Sequence, residues 1–600
     1  MTIYQAPLAD FKFLLNDYLN IQQYENVRGF EGLKELINPI LEEGAKFVEN
    51  ILHPLNASGD LEGCIFANGE VKMPNGFKQA YGEYIAGGWA SLTCAPEYGG
   101  QGLPEVLNMP MTEMICSGNL SFGLTPGLSH SAYNLLEHYL PQHLRPLYLP
   151  KIISGEWTGV MCLTEPQAGT DLGLIRTTAT PYNEAPYNDA YLLEGTKIFI
   201  SSGEHDLAEN IVHLVLARLP NAPAGVQGIS LFLVSKFLLD KSGAIAERNQ
   251  VHCAGIEHKM GLHASSTCVI NYDGAIGYLL GEPHKGLRAM FTMMNAARLY
   301  VGVQGLGISE IAYQNALSYS HERLQGRALT GAVNKSGAAD PIIIHPELRK
   351  NLLQMRCCIE AGRALVLEVA LQYDLSKRHN DAEIRKEADN FVQLMTPIIK
   401  AFLTDLGHEH ANAALQCFGG YGYIREYGVE QFARDVRITQ IYEGTNGIQA
   451  LDLVGRKLPH EMGKYLSTFF HPVDDFITAN EGIEAMKEFV QPLKKHVEYL
   501  RKASLWLAKE GLSNPNQAAA GAVEYLRMFG LVSFAFIWAK QAKLCLSDDV
   551  DLSSQYLNDA EFKARKIENA RFFMSRVLPQ TISLLSCIIA GSETIMQTDI

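Results

Sequence analysis

The chain has no C-x-x-C pair. Its 11 cysteines are scattered singly, apart from the adjacent Cys357 and Cys358. That excludes a zinc ribbon and a thioredoxin-like motif, and it predicts reduced, buried thiols in a cytoplasmic protein. No G-x-G-x-x-G opens a helix after a strand and no G-x-x-x-x-G-K-[ST] occurs, so neither a Rossmann dinucleotide site nor a P-loop is encoded. Gly302, Gly305 and Gly307 lie instead within a helical run, where they permit close helix packing. His408-Glu409-His410 lacks the H-E-x-x-H spacing, and adjacent helical residues point to different faces, so no metal site is predicted. The start, Met1-Thr2-Ile3-Tyr4-Gln5, has neither a basic region followed by an apolar core nor the arginines of a transit peptide. The most apolar late run, 529–539, falls short of the ~20 residues that cross a bilayer and reads as a buried helix, so no integral membrane segment is expected. Repeats and low-complexity tracts are lacking too.

Positive charge is in deficit. With 50 basic and 65 acidic residues the formal net charge is -15. Non-specific nucleic-acid binding needs a basic surface, so that class is disfavoured and an enzyme acting on small molecules fits. A composition of 47% hydrophobic and 19% charged residues is ordinary for a globular protein. Six hundred residues exceed one core; at ~100–200 residues per domain, three to five units are expected.

What is present falls into segments. In residues 1–35, Phe11, Leu14, Leu15, Tyr18 and Leu19 recur at helical spacing and predict a docking helix. Residues 36–157 read as a helical domain. There, Leu36, Ile40, Ala45, Phe47, Val48 and Leu52 form one amphipathic run, and Leu135, Leu136, Tyr139 and Leu140 form another, stopped by Pro141. The glycine-rich turn 96–102 between them is equally an interhelical loop or a ligand-facing one. The period changes at Trp157. Short apolar or β-branched runs at 160–164, 191–200 (turning at Gly195), 211–216, 229–234 and 267–272, with Pro and Gly between, predict a β-barrel domain over 158–283. Helical spacing returns over 284–459, with long candidates at 287–320, 346–373, 381–417 and 445–458 that suggest a four-helix bundle. A polar loop, 330–344, separates the first two. A further helical domain, 460–600, carries an expected hinge near His471-Pro472. Its basic clusters, Lys494-Lys495 and Lys563, Arg565, Lys566, are interleaved with glutamates and read as solvated helix faces. The fold class expected is α+β multidomain.

Chemistry concentrates at Ile441-Tyr442-Glu443-Gly444-Thr445-Asn446-Gly447, a carboxylate between an aromatic residue and a glycine turn. Alone, Glu443 reads as an acid near a helix start, favoured by the helix dipole. Three other segments change that reading: Leu163-Thr164-Glu165-Pro166, Lys197-Ile198-Phe199-Ile200-Ser201, and Gln416-Cys417-Phe418-Gly419-Gly420-Tyr421-Gly422. In this order the four resemble the acyl-CoA dehydrogenase family over about residues 80–460. The segments outside that span are similar to its larger-subunit branch, which includes 3-methylmercaptopropionyl-CoA dehydrogenases and long-chain enzymes.

The resemblance implies an FAD enzyme that dehydrogenates an acyl-CoA thioester to a trans-2-enoyl-CoA. Electrons would pass to an electron-transfer flavoprotein. It also implies roles. Glu443 takes the alpha proton, its basicity strengthened when the acyl chain expels water, and its backbone N–H donates to the thioester carbonyl. Gly444 leaves room for substrate, beside Tyr442. Leu163, Thr164, Phe199 and Ser201 line the flavin, with Phe199 and Ser201 standing where many relatives have Trp and Thr. Arg323 binds the flavin pyrophosphate across a subunit interface, since a guanidinium forks onto phosphate oxygens. Many relatives have Thr-Phe at Gln325-Gly326, so the neighbouring contacts differ. Gln416, Gly419 and Gly420 approach its ADP portion from a partner, which makes a homodimer the expectation; the same residues also read as a helix C-cap and turn. Thr445 is a further flavin contact. Thr170 stands near the coenzyme A, and Arg298 near the catalytic end of the substrate pocket or in helix packing. An acyl-CoA oxidase using oxygen and a non-catalytic, DNA-associated member remain alternatives. Net acidity and the retained Glu443 speak against the second.

Overall fold

The computed structural model describes residues 2–184, 187–547 and 554–600. The chain forms two compact units that do not follow chain order. One comprises Met1–Ala45, Pro104–Ser117 and Val301–Ile600; the other comprises Lys46–Leu103 and Gly118–Tyr300.

The second unit is built on a seven-stranded sheet. Strands Thr267–Leu280, Ala190–Ser201, Thr178–Tyr182, Asn210–Arg218 and Ile229–Ser235 pair in succession, and Ile229–Ser235 pairs back onto Thr267–Leu280. The ring thereby closes as the expected barrel, with Val251–Ile256 and Trp157–Cys162 flanking it. Continuous apolar runs mark strands buried on both faces. Val160, Cys162, Ile211, Val215, Phe232 and Val234 fill the interior. Their alternating neighbours Met161, Val212, Leu214, Leu231 and Leu233 pack on Leu135, Leu136 and Leu149 of the helices Leu120–Tyr139 and Arg145–Ser154.

Gly195 is not a turn: the strand Ala190–Ser201 runs straight through it. Its φ is +151°, and a Cβ there would lie 2.5 Å from Thr177 Oγ1, so the glycine admits Thr177 at close range. Strands Thr178–Tyr182 and Val251–Ile256 and two small hairpins, Ile65–Ala67 with Glu70–Lys72 and Phe237–Leu239 with Ile245–Arg248, went unpredicted. They are short or mostly exposed, so they carry little apolar pattern.

In the first unit, the helix Gly286–Glu322 from residue 301 onward, Pro346–Arg378, Ala382–Phe418 and Asn446–Asp452 form the bundle. The glycines predicted for packing act so: a Cβ on Gly305 would fall 2.4 Å from Leu403 O, and one on Gly302 2.5 Å from Ile399 Cγ2. The N-terminal run packs as expected, with Phe11, Leu14 and Leu15 fully buried. In the helix Leu33–Phe47 the buried stripe is Leu33, Ile37, Leu41 and Ala45, while Leu36 lies on the exposed side.

The C-terminal helices are Lys464–Asn480, Lys487–Ser513, Ala522–Leu546, Ala560–Phe572 and Gln580–Ile589. No hinge occurs at His471-Pro472. Lys464–Asn480 continues through Pro472, held by the buried Phe469, Phe470, Val473 and Ile477. Residues 529–539 lie inside Ala522–Leu546. By length and composition that helix and Ala560–Ile589 could cross a bilayer, but 83% of the first one's apolar window is buried in the fold. Lys566 is not solvated: it is buried against Asp10 and Glu360, and Phe13, Trp538 and Phe562 surround its ammonium. Nine cysteines are buried thiols, whereas Cys587 is exposed.

Candidate active site

Within the sheet unit, the segment after Trp157–Cys162 and the strand Ala190–Ser201 are tied by one buried ion pair. Lys197 Nζ donates to Glu165 Oε1 at 2.7 Å and to Leu163 O at 3.0 Å. Glu165 also accepts from the Thr177 hydroxyl at 2.6 Å and from the Arg176 and Thr177 backbone at 2.7 and 3.0 Å. Burial alone would raise this carboxyl; the Lys197 charge and the hydrogen bonds outweigh it and hold the group down at about 2. Burial lowers the Lys197 amine while Glu165 opposes that shift, and the pair fixes Leu163 and Thr164 beside the strand, as does the Ile198 N–H to Thr164 O bond of 2.9 Å.

That strand is bulged at the site. Cys268 pairs with Ile200 and Ile270 with Lys197, so Ile198 and Phe199 face Val269 alone. The extra residue takes a left-handed conformation, with Phe199 at φ +58°, and a bulge re-aims a side chain out of the sheet. Phe199 is 59% exposed, an aromatic ring left mostly uncovered in a conformation costing ~1–2 kcal/mol. Flanking it, Thr164 and Ser201 are half-buried. Among the described residues, no hydrogen bond engages either hydroxyl. An unshielded ring with two uncommitted hydroxyls beside it fits a planar, carbonyl-bearing aromatic cofactor. Thr170 lies exposed on the bend that follows, and Arg298 is half-buried with its guanidinium 5.8 Å from the Phe291 ring centroid.

Within the helical unit, Glu443 and Gly444 form a turn of two successive left-handed residues, at φ +58° and +81°. Glu443 is half-buried. Its carbonyl accepts from Gln449 Nε2 at 3.1 Å, and Gly444 O accepts from Lys400 Nζ at 2.9 Å. Tyr442 donates its hydroxyl to Gln304 Oε1, and burial, with Cys116 and Glu443 nearby, pushes this phenol well above its usual range. Thr445 caps the helix Asn446–Asp452, its Oγ1 accepting from Ile448 N at 3.3 Å; the hydroxyl proton remains available to an acceptor.

Arg323, Gln416, Gly419 and Gly420 gather elsewhere in this unit, at helix ends. All four are exposed. Among the described residues the Arg323 guanidinium has no hydrogen bond or ion pair; it stacks 5.6 Å from the Tyr421 ring centroid. Gly419 ends the helix Ala382–Phe418 at φ +60°, ψ -140°, a conformation for glycine alone. No neighbour crowds Gly420. Along that helix, Gln416 is roughly 20 Å from the Lys400–Asp405 turn that holds Glu443. These residues therefore do not join Glu443 within one chain.

Glu165, Lys197 and Asn446 stand within the four motif segments but were given no role, and Lys400 and Gln449 were missed from sequence. Lys400 carried a signal, a single charge inside an apolar run, and a charge so placed requires a partner; Lys197, which follows Glu194, Gly195 and Thr196, carried less. The two amides carried none.

Four domain families match in succession: the acyl-CoA dehydrogenase N-terminal domain at residues 40–156, the middle domain at 160–275, the C-terminal domain at 284–458, and the acetyl-CoA dehydrogenase C-terminal-like domain at 469–599. The 3-methylmercaptopropionyl-CoA dehydrogenase of Ruegeria pomeroyi is 41% identical over 96% of this chain and 96% of its own. The chain belongs to the acyl-CoA dehydrogenase family. It is an oxidoreductase acting on acyl-CoA, of a family whose members bind FAD. A butyryl-CoA dehydrogenase of Syntrophomonas wolfei is 32% identical over 98% of this chain and 97% of its own. Among solved structures, an acyl-CoA dehydrogenase of Bacillus anthracis complexed with FAD shares the fold, with a TM-score of 0.75 at 20% identity, covering 97% of this chain and 92% of that one.

Proposed function

We propose that this acyl-CoA dehydrogenase converts a short, linear acyl-CoA to the trans-2-enoyl-CoA and delivers the electrons to an electron-transfer flavoprotein in the cytoplasm. The named activities of the two full-length relatives, on 3-methylmercaptopropionyl-CoA and butyryl-CoA, support the substrate class. The observation that carries the reading is the Glu443-Gly444 turn: a strained, half-buried carboxylate whose flanking carbonyls are tied inward.

Bound FAD supplies the two-electron acceptor that no side chain can provide. Thr164 and Ser201 donate hydrogen bonds to its ring system and Phe199 shields it, with Leu163 alongside. Glu443 takes the proton alpha to the thioester. Its backbone N–H donates to the thioester carbonyl, where such a donor contributes ~3 kcal/mol as charge builds. Gly444 keeps side-chain bulk from the substrate beside Tyr442, Thr445 donates toward the cofactor, Thr170 contacts the coenzyme A portion, and Arg298 lies at the catalytic end. Arg323, Gln416, Gly419 and Gly420 serve the cofactor of a partner subunit in a homodimer; their exposure and separation from Glu443 support this.

Glu443→Gln is the test. The variant keeps bound flavin and loses ~10²–10⁴-fold in turnover; near-normal turnover would overturn the assignment. Anaerobic titration with a panel of acyl-CoAs, followed by flavin bleaching, identifies the chain length. Peroxide release under air, in place of reduction of an electron-transfer flavoprotein, would make the enzyme an oxidase.

A further inference from the structure

The helix Ala382–Phe418 carries one lysine inside the apolar run Pro397-Ile398-Ile399-Lys400-Ala401-Phe402-Leu403. Lys400 is fully buried, where an amine is costly unless its donors are satisfied. Its Nζ donates to Gly444 O and to Asn446 Oδ1, both at 2.9 Å. Asn446 returns to the same helix: its Nδ2 reaches Asp405 Oδ1 at 2.7 Å, Thr404 Oγ1 at 2.9 Å and Ala401 O at 3.1 Å. From the other side, Gln449 Nε2 reaches Glu443 O at 3.1 Å and Gly444 O at 3.3 Å. The carbonyls of both left-handed residues are thus gripped by side chains of two helices. A non-glycine residue in that conformation persists only where its surroundings over-determine it.

We infer that Lys400 is a positioning residue for the Glu443 carboxylate, acting through the Gly444 carbonyl, with Asn446 and Gln449 completing the clamp. The inference rests on Glu443 being the base. Lys400 does two things there. It holds the turn, so that the carboxylate is delivered in one orientation. Its amine also lies 2.9 Å from the carbonyl of the residue that follows the base, and a cation near a carboxylate favours the ionised form needed to accept a proton. Other titratable or charged groups near the turn include Asp405 and His408 on the same helix, Arg437 in the preceding turn, Tyr442 beside the base, and Cys116 on the helix Glu105–Gly118. None of these makes the bond that Lys400 makes to Gly444 O.

Lys400→Met, assayed as the full-length flavin-loaded enzyme, tests this. Turnover is expected to fall ~10–100-fold, as when a catalytic group loses its geometry, with KM and flavin content little changed. The acid limb of the kcat profile should move up by about one pH unit, because the nearby cation is gone. Lys400→Arg, which retains the charge, should keep that limb near its original position. A purely structural lysine would lower stability and flavin content without moving the limb. Should Lys400→Met not fold, Gln449→Met carries the test from the other helix, with the same fall in kcat expected. Unchanged kcat and pH profile in the variant that folds, alongside an inactive Glu443→Gln, would overturn the inference and leave the base in place. An active Glu443→Gln would instead remove the base itself.

Discussion

Two buried clusters of charge, one in each unit, follow opposite plans. In the sheet unit one lysine meets one carboxylate, and Glu165 is saturated with donors from Lys197, Thr177 and Arg176. In the helical unit two cations face four carboxylates. Arg363 bonds Asp10, Glu113 at 2.6 Å and Glu310 at 2.6 Å, while Lys566 bonds Asp10 and Glu360. The consequence is read in the acids. Glu165 is held at about 2, whereas burial, opposed by Arg363, leaves Glu113 at about 7. A matched pair makes a local clamp whose carboxylate titrates far below neutrality. A cluster with excess acid ties together segments distant in the chain (the N-terminus, the helix Glu105–Gly118, two bundle helices and the C-terminal helix Ala560–Phe572), and its protonation is coupled to folding.

The harshest way to break this comparison is Arg363→Met. It strands Glu113 and Glu310 and leaves Asp10 to Lys566 alone, and removal of one partner from a buried pair already costs ~3–5 kcal/mol. The expected outcome in denaturant unfolding is a loss at or above the top of that range, up to failure to fold. A loss within experimental error would mean the cluster does not hold these segments. Glu113→Gln sharpens the comparison with a smaller effect. Glu113 has a folded value raised above its ordinary 4.5, so the native state binds more protons between about 4.5 and 7, and stability falls as pH rises through that window. The amide removes this slope. Above pH 7 the variant should exceed the parent by about 2 kcal/mol, somewhat less than the full shift because a charged hydrogen bond to Arg363 is lost. Asp374, also raised to about 7 by burial, adds a slope of the same sign, so the dependence is reduced rather than abolished. An unaltered slope would show that Glu113 is not the group that carries the proton.

The contrast also marks what the amino-acid order disclosed. Barrel strands such as Asn210–Arg218 and Ile229–Ser235 were legible because both faces are buried and their runs are dominated by Val, Ile and Leu, with His213 the one break in 211–216. The bundle helices were legible from their spacing to within a few residues, and so were the turn at Glu443 and the glycines that admit helix crossings. Three features were not. Lys566 was placed among solvated neighbours, because the residues that bury it, Asp10 and Glu360, are remote in the chain. Gly195 was read as a turn, because a close approach by Thr177 leaves no local mark. The left-handed Phe199 arises from a register shift against Val269, which only pairing reveals. Local pattern reports which face is apolar; it does not report which distant partner completes a charge.

The gentlest test takes one donor from the saturated pair. Thr177→Val keeps the shape and deletes the hydroxyl that donates to Glu165 at 2.6 Å. Hydrogen bonds to charged groups are worth ~1.5–3 kcal/mol. The low end is expected here, because Lys197 and two backbone N–H groups stay in place. The sign with pH is opposite to that of Glu113. Glu165 lies below its ordinary 4.5, so it stabilises the fold above that pH and the contribution drains away as pH falls toward 2. With one donor fewer the carboxyl is less depressed, and acid unfolding should begin at higher pH. Because the charge remains matched, stability near neutrality should shift by a constant amount without acquiring a slope. A loss as large as that from Arg363→Met, or a new pH dependence between 5 and 8, would show that the lysine alone does not balance this carboxylate, and the two clusters would no longer differ in kind.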